Sequence, residues 1–188
     1  VSGPSAEDER HFPEEAMWEG RFITARRRGR WEYVSRARNI GAAVILAIHE
    51  GHVILVDQYR VPLERRCIEL PAGLIGDETA GEDPLEAASR ELEEETGYRA
   101  GRLEDMGAFW SSPGMVSECF TLYRAHDLTK VSEGGGVEGE GIIVHRVPLD
   151  GLAGWIAARR AEGYAMDVKL LLLLGGGMLA GGSESAGL

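Results

Sequence analysis

The chain is poor in cysteine, in aromatic residues and in positive charge. Its 188 residues hold two cysteines, 7% aromatics, and 20 Lys and Arg against 31 Asp and Glu, for a formal net charge of −11. Cys67 and Cys119 lie in apolar, strand-like segments without metal-ligand spacing, so both are expected to be buried free thiols in a reducing compartment. The acidic balance argues against a nucleic-acid partner, which needs a basic face. The one basic run, Arg26-Arg27-Arg28-Gly29-Arg30, has acidic residues on both sides and reads as a hairpin tip. Long apolar stretches are missing too. Leu170–Leu174 runs into Gly175-Gly176-Gly177, too short and broken to span a bilayer. Val1–Glu15 is polar and acidic, unlike a signal peptide, so the cytoplasm is the expected compartment. No internal repeat is visible.

The length fits one domain able to bury most of its apolar surface. Residues 1–16 read as a mobile tail, 17–38 as an N-terminal β segment, 39–175 as the main domain and 176–188 as a frayed tail. Trp18–Arg27 and Arg30–Arg36 alternate around Arg28-Gly29 and predict a hairpin. Gly41–His49 and His52–Tyr59 are β-rich, and the first is apolar enough for a central strand. Cys67–Leu70, Leu103–Trp110, Phe120–His126 and Ile142–Val147 read as further strands, Gly151–Arg160 and Met166–Leu174 as helices. Gly-rich Ser132–Gly141 is the longest expected loop. Strands before and after a main helix fit a mixed α/β sheet with helices packed on it.

That main helix is the informative segment. Asp83 suits the N-cap, Pro84 the first helical position, Glu86 the capping-box position and Gly97 the C′ stop, giving a helix over 84–96. At about 100° per residue Leu85, Ala88 and Leu92 share one buried stripe, with Glu91, Glu94 and Glu95 in an arc beside it. Arg90 on the flank can pair with Glu86 and Glu94 at i±4. Five carboxylates between Pro84 and Thr96 repel one another. Either they form a solvated acidic face with a stabilising arginine, or they gain from a hard divalent cation such as Mg²⁺ or Mn²⁺, which takes few carboxylates plus water and phosphate oxygens.

The full pattern is Gly76, five residues, Glu82, seven residues, then Arg90-Glu91-Leu92-x-Glu94-Glu95-x-Gly97-Tyr98. It resembles the Nudix box of the Nudix hydrolases. In many relatives the first glycine belongs to a Pro-Ala-Gly turn, which here is Gly73; Gly76 then matches by position only, after a three-residue insertion. The resemblance covers about residues 18–174. It implies an α/β/α sandwich with an N-terminal β-hairpin segment, and Mg²⁺, or Mn²⁺, held by Glu91, Glu94 and Glu95 with the backbone carbonyl of Ala72. Glu82 would lie close by, Arg90 would orient the carboxylates, and Glu94 joins Arg90 in the catalytic set.

Further positions resemble the ADP-ribose pyrophosphatase branch. Arg60, closing Gln58-Tyr59-Arg60, matches a substrate-contacting arginine. Glu69 matches a position that reaches substrate or metal in some members, although an edge-strand surface carboxylate reads equally well. Ser112-Pro113-Gly114 puts proline 16 residues after Gly97, the marker of that branch, and Glu118 matches the acidic residue that follows. A tight Ser-Pro-Gly turn lets a ligand approach backbone amides. Metal-bound carboxylates are poor bases because cations depress their pKa. A base on a mobile segment suits the chemistry better. Glu133, Glu138 and Glu140 stand in such a segment, with flexibility from Gly134-Gly135-Gly136, Gly139 and Gly141; in ADP-ribose pyrophosphatases the catalytic glutamate lies in a loop just before a strand like Ile142–His145, so the resemblance implies Glu140 first and Glu138 second. Trp18, Phe22, Trp31 and Tyr33 would suit a core. In the branch, N-terminal strands exchange across a homodimer and supply an aromatic that stacks on the base, a role assigned to Trp31. His49, His52, His126 and His145 are read as structural.

The expected activity is Mg²⁺-dependent cleavage of a nucleoside diphosphate linked to a second moiety: ADP-ribose to AMP and ribose 5-phosphate, with GDP-mannose or another nucleotide sugar as the alternative. Damaged nucleoside triphosphates fit the Pro113 turn less well. A non-catalytic ADP-ribose sensor would be expected to lose box carboxylates and gain a basic appendage, and neither feature is present in this sequence.

Overall fold

Gly41–His49 has two apolar faces, and each meets a different core. Ala43, Ile45 and Ala47 point into one buried cluster and Val44 into another, as the two-residue period of a strand requires. Such a strand must be covered on both sides. The structure, a computed structural model, describes residues 5–37, 40–76 and 82–179. In chain order the N-terminal elements are α1 (Ala6–Glu9), β1 (Glu14–Glu19), β2 (Ile23–Arg28) and β3 (Trp31–Arg36). The main domain follows with β4 (Gly41–His49), β5 (His52–Arg60), β6 (Arg65–Glu69), β7 (Ala72–Ile75), α2 (Pro84–Thr96), β8 (Tyr98–Arg99), β9 (Arg102–Trp110) and β10 (Cys119–His126). β11 (Thr129–Lys130), β12 (Ile143–Pro148), α3 (Leu152–Ala161), β13 (Ala165–Met166) and α4 (Leu171–Leu179) complete it.

The main sheet runs β13-β6-β5-β4-β10-β9, with β12 added on β5 and β7 on β4. β4 and β10 are parallel, with Leu122 opposite Val44, while β9 lies antiparallel to β10. β4 splits its partners: its first half pairs with β7, Val44 opposite Ala72, and its end turns into β5 at His49–His52. Below one face Ala88 and Leu92 of α2 pack on Ile45, Ala47 and Ile54. On the other, Leu152 and Ile156 of α3 and Leu170 pack on Val53, Leu55 and Ile68. This is the α/β/α sandwich. Leu92 is fully buried, which contributes about 2 kcal/mol.

α2 has its expected bounds. The Asp83 carboxylate accepts from the amides of Leu85 and Glu86, and Gly97 at φ 72° closes the helix by donating to Glu93 O. The stripe is rotated from the expected one: Ala87 is buried with Ala88 and Leu92, whereas Leu85 is exposed.

Residues 5–19, read as a tail and the start of a hairpin, fold instead. Ser5 and Asp8 form a capping box for α1, and Glu9 is buried against Arg30, accepting from its amide at 2.9 Å. β1 pairs with β2, which pairs with β3 around Gly29-Arg30. Glu14 binds Arg26 and Arg28, and Glu15 binds Arg27. The acidic stretch thus orders itself on the basic run. Trp18, Phe22 and Trp31 are exposed rather than core. Cys67 is buried, and burial pushes its thiol up to about 12. Cys119, opposite Trp110 at the strand's start, is exposed. The helix expected from Met166 begins with a two-residue strand and a 3-10 turn, and α4 continues through the three glycines to Leu179; residues 180–188 lie outside the described residues. Among the described residues no helix is long and apolar enough to cross a membrane.

Candidate active site

The turn from β6 into β7 runs under the C-terminal half of α2. The Ala72 amide donates to Oε2 of Glu95 at 3.0 Å. Next to it, Gly73 leaves room for Glu91: a Cβ on Gly73 would lie 2.0 Å from Cδ of Glu91. Gly76 does a different job, its amide donating to Glu82 at 3.2 Å. The glycine that meets the helix carboxylates is therefore Gly73.

Arg90 gathers the acids. Its Nε reaches Glu82 at 3.2 Å, and its Nη1 reaches Glu91 at 3.1 Å and Glu94 at 3.2 Å. Glu82, rather than the expected Glu86, is its second helix-start partner. Burial opposes the Arg90 charge, but the three carboxylates outweigh it and raise its pKa. Its Nη2 is buried and has no hydrogen-bond partner among the described residues. Arg90 in turn, with the Gly76 amide, holds the Glu82 carboxyl below its usual range.

Glu95 is the most perturbed carboxylate. Burial pushes it up to about 8; the Ala72 hydrogen bond opposes this, and the charges of Glu91, Glu140 and Glu69 add to it. Those three come from α2, the glycine-rich loop and β6, so four acidic side chains from three elements converge electrostatically here. Among the described residues no three acidic, histidine or cysteine side chains are drawn into a metal shell. The carboxylates are turned to donors in reach, Glu95 to the Ala72 amide and Glu91 and Glu94 to Arg90. The oxygen donors present still suit a hard divalent cation.

Glu69 is not a surface carboxylate. It is buried and takes Nε and Nη2 of Arg60 at 2.6 and 2.8 Å. That bidentate pair holds the Arg60 charge while leaving the side chain half exposed and further donors on Nη1.

The glycine-rich loop is docked where flexibility was expected. The amides of Gly135 and Gly136 donate to Glu95 O and Glu94 O at 2.8 and 3.0 Å, closing the end of α2. A Cβ on Gly134 would lie 2.4 Å from the Thr96 carbonyl carbon. Gly134 is there for close approach, whereas Gly135 and Gly136 hold φ of 108° and 73°. Beyond them Glu140 folds back, its Oε2 accepting from the Val137 amide at 2.9 Å. Of the two glutamates expected to supply the base, both exposed, Glu140 is the one whose charge reaches Glu95.

Trp31, Pro113 and Gly114 line a separate pocket of about 360 Å³ with Tyr33, Arg10 and Arg28, and none of the α2 carboxylates lines it. Ser112 O accepts from the amides of Met115 and Val116 to make the turn. Glu118 pairs with Arg36, tying this turn to β3.

Sequence reasoning passed over Asp57. It is fully buried in β5 and held by Arg66 and by His145, whose Nε2 is 2.5 Å from Oδ2. The available signal was a carboxylate inside an otherwise apolar strand, which must find partners.

The chain is similar to several known proteins. Residues 37–164 match the NUDIX domain profile. An ADP-ribose pyrophosphatase of Bacillus subtilis is 45% identical over 94 residues, 50% of this chain and 49% of that protein. A GDP-mannose pyrophosphatase of Cronobacter sakazakii is 35% identical over 146 residues, 73% of this chain and 72% of that protein. Among solved structures, the crystal structure of an ADP compounds hydrolase superposes with a TM-score of 0.64 at 26% identity, covering 90% of this chain and 94% of that one. The aligned segment spans 49–66% of the length of several curated relatives. With the NUDIX profile covering well over half of its residues, the chain belongs to the Nudix family.

Proposed function

We propose that this chain is a Mg²⁺-dependent hydrolase that cleaves the diphosphate of ADP-ribose to AMP and ribose 5-phosphate. The observation that carries the reading is the buried Glu95 carboxylate, held by the Ala72 amide with Glu91 beside Gly73 and raised by the charges of Glu91, Glu140 and Glu69. Such a concentration of negative charge beside a half-exposed arginine fits a cation-bridged pyrophosphate better than a neutral ligand. Glu91, Glu94, Glu95 and the Ala72 carbonyl would hold Mg²⁺, with Mn²⁺ as a substitute. When bound, the cation neutralises charge on the pyrophosphate oxygens and acidifies the attacking water.

The chain's own residues supply the rest. Arg60, fixed by Glu69, binds a phosphate oxygen through its remaining donors. Arg90 keeps Glu91 and Glu94 on one side of the helix. Water attacks phosphorus, the bond to the bridging oxygen breaks, and Glu140 takes the proton after leaving Val137. Glu138 is the fallback for that role. The base and ribose would lie in the pocket of Trp31, Pro113 and Gly114, whose aromatic and cationic lining suits a nucleoside beside phosphates. Exposed Met17, Trp18 and Phe22 on the N-terminal sheet suit an interface between two copies, so a homodimer is the working assembly. The two free thiols fit the cytoplasm.

A phosphate-release panel over ADP-ribose, GDP-mannose, other nucleotide sugars, dinucleoside polyphosphates and nucleoside triphosphates, with and without Mg²⁺, tests this. ADP-ribose should lead only with the cation. Preference for GDP-mannose, the substrate in the name of the Cronobacter relative, would replace the substrate and keep the chemistry.

A further inference from the structure

Arg66, Asp57 and His145 form a line across three strands. In the β5–β6 register Asp57 lies opposite Ile68, so Arg66 is its diagonal neighbour on the same face. In the β5–β12 register Asp57 lies opposite Ile143, and His145 is the diagonal neighbour on the other side. The Asp57 carboxylate has both oxygens engaged, Oδ1 by Nε of Arg66 and Oδ2 by His145. Trp155 of α3 packs on the His145 ring, centroids 5.2 Å apart. The Arg66 guanidinium is thereby fixed in direction, and its Nη2 donates to two carbonyls, Asp57 O at 3.0 Å and Gly141 O at 2.8 Å.

Gly141 directly follows Glu140. The upstream end of the same segment is held by Gly135 and Gly136 on the last carbonyls of α2. Between the two anchors Gly139 and Gly141 adopt φ of 98° and 61°, and a Cβ on either would meet nothing within 4 Å. Glu140 therefore stands between two glycine swivels on a short segment tied at both ends. Its carboxylate can leave Val137, but only over the arc the anchors permit.

We propose that Arg66, aimed by Asp57 and His145, is a positioning residue that pins the Gly141 carbonyl and so limits Glu140 to the arc that reaches the substrate water. This rests on the reading of Glu140 as the base. The competing role for Arg66 is neutralisation of the buried Asp57 alone, and Arg66→Lys separates the two. Lysine keeps the charge beside Asp57 but cannot reproduce the fork that also holds two carbonyls.

The test measures steady-state kinetics of ADP-ribose hydrolysis, thermal unfolding, and amide hydrogen exchange over residues 137–142. Arg66→Lys should unfold near the wild-type temperature, exchange faster in that segment, and lose about ten- to a hundredfold in kcat with KM within about twofold. Because Arg66 acts through Glu140, Arg66→Lys/Glu140→Gln should be no slower than Glu140→Gln. A wild-type kcat in folded Arg66→Lys, or losses that multiply in the double variant, overturns the inference and leaves the base reading intact. Full turnover in Glu140→Gln overturns the base reading and the inference with it. Should Arg66→Lys unfold, His145→Asn, which loosens Asp57 but keeps the Arg66 pair, should show the same faster exchange and lower kcat; wild-type values for both would overturn the inference.

Discussion

Glu95 on the last turn of α2 accepts a hydrogen bond from the amide of Ala72, 23 residues earlier in the chain, at 3.0 Å. This contact joins the turn after β6 to the acidic helix, where the Glu95 carboxylate is buried. Glu95→Gln keeps the shape and the acceptor oxygen for Ala72 while removing the charge. The fold should survive, with an unchanged circular dichroism spectrum. Turnover should fall by more than the ~10–100-fold that loss of an outer-shell partner costs a metal site. Near-normal turnover would remove Glu95 from the metal set.

The same burial gives a pH signature. Glu95 is raised from the usual 4.5 to about 8 in the folded protein, so between those values the folded state holds a proton that the unfolded state has lost. Stability then falls as pH rises through that window. Thermal unfolding of metal-free protein should show a loss on the order of a few kcal/mol between about pH 5 and about pH 8. Glu95→Gln should flatten that slope, and a divalent cation, which replaces the proton, should restore stability at the upper end. A slope unchanged by Glu95→Gln would place the titrating group elsewhere.

Gly73 is required for space, not for backbone freedom. A Cβ there would lie 2.0 Å from Cδ and 2.1 Å from Cγ of Glu91, the movable end of a side chain. Gly73→Ala should thus cost about 1 kcal/mol or less in stability while displacing Glu91. Its effect should appear as a higher Mg²⁺ concentration for half-maximal activity. Gly76→Ala meets a strained φ of 81° and should act on stability instead. Equal Mg²⁺ dependence in the two variants would contradict the division between these glycines.

These glycines also show where the sequence is legible. The bounds of α2 are readable because cap, periodicity and terminal glycine are local signals that agree. The central strands are readable because both faces of Gly41–His49 are apolar. Residues 5–19 are not, since an acidic stretch looks solvated until Glu9, Glu14 and Glu15 meet arginines on β2 and in its turn. Gly134 misleads for a related reason: composition cannot distinguish a glycine that supplies mobility from one whose Cβ would lie 2.4 Å from the Thr96 carbonyl carbon. In the site, the box carboxylates and Arg60 are visible as a motif. The burial of Glu69 and the Asp57–Arg66–His145 line depend on strand register, which no single segment displays.

Arg60 and Glu69 should behave as a unit. Removing Arg60 leaves a buried carboxylate without its bidentate partner, so Arg60→Ala should cost about 1–3 kcal/mol and also raise KM for substrate. Arg60→Ala/Glu69→Gln should regain stability, because no buried charge is stranded, without regaining KM. Urea unfolding and Michaelis kinetics on the three variants check both halves. A KM that recovers with stability would make Arg60 structural only.

Cation-dependent diphosphate cleavage through Glu95 and the acidic side chains whose charges reach it is the core of the proposed activity. Its most direct test is product analysis of ADP-ribose incubated with the wild-type chain and with Glu95→Gln, each with Mg²⁺ and with chelator. AMP and ribose 5-phosphate in equal amounts from the wild type with Mg²⁺ alone is the predicted result. Equal product formation by Glu95→Gln, or by the wild type in chelator, would contradict it.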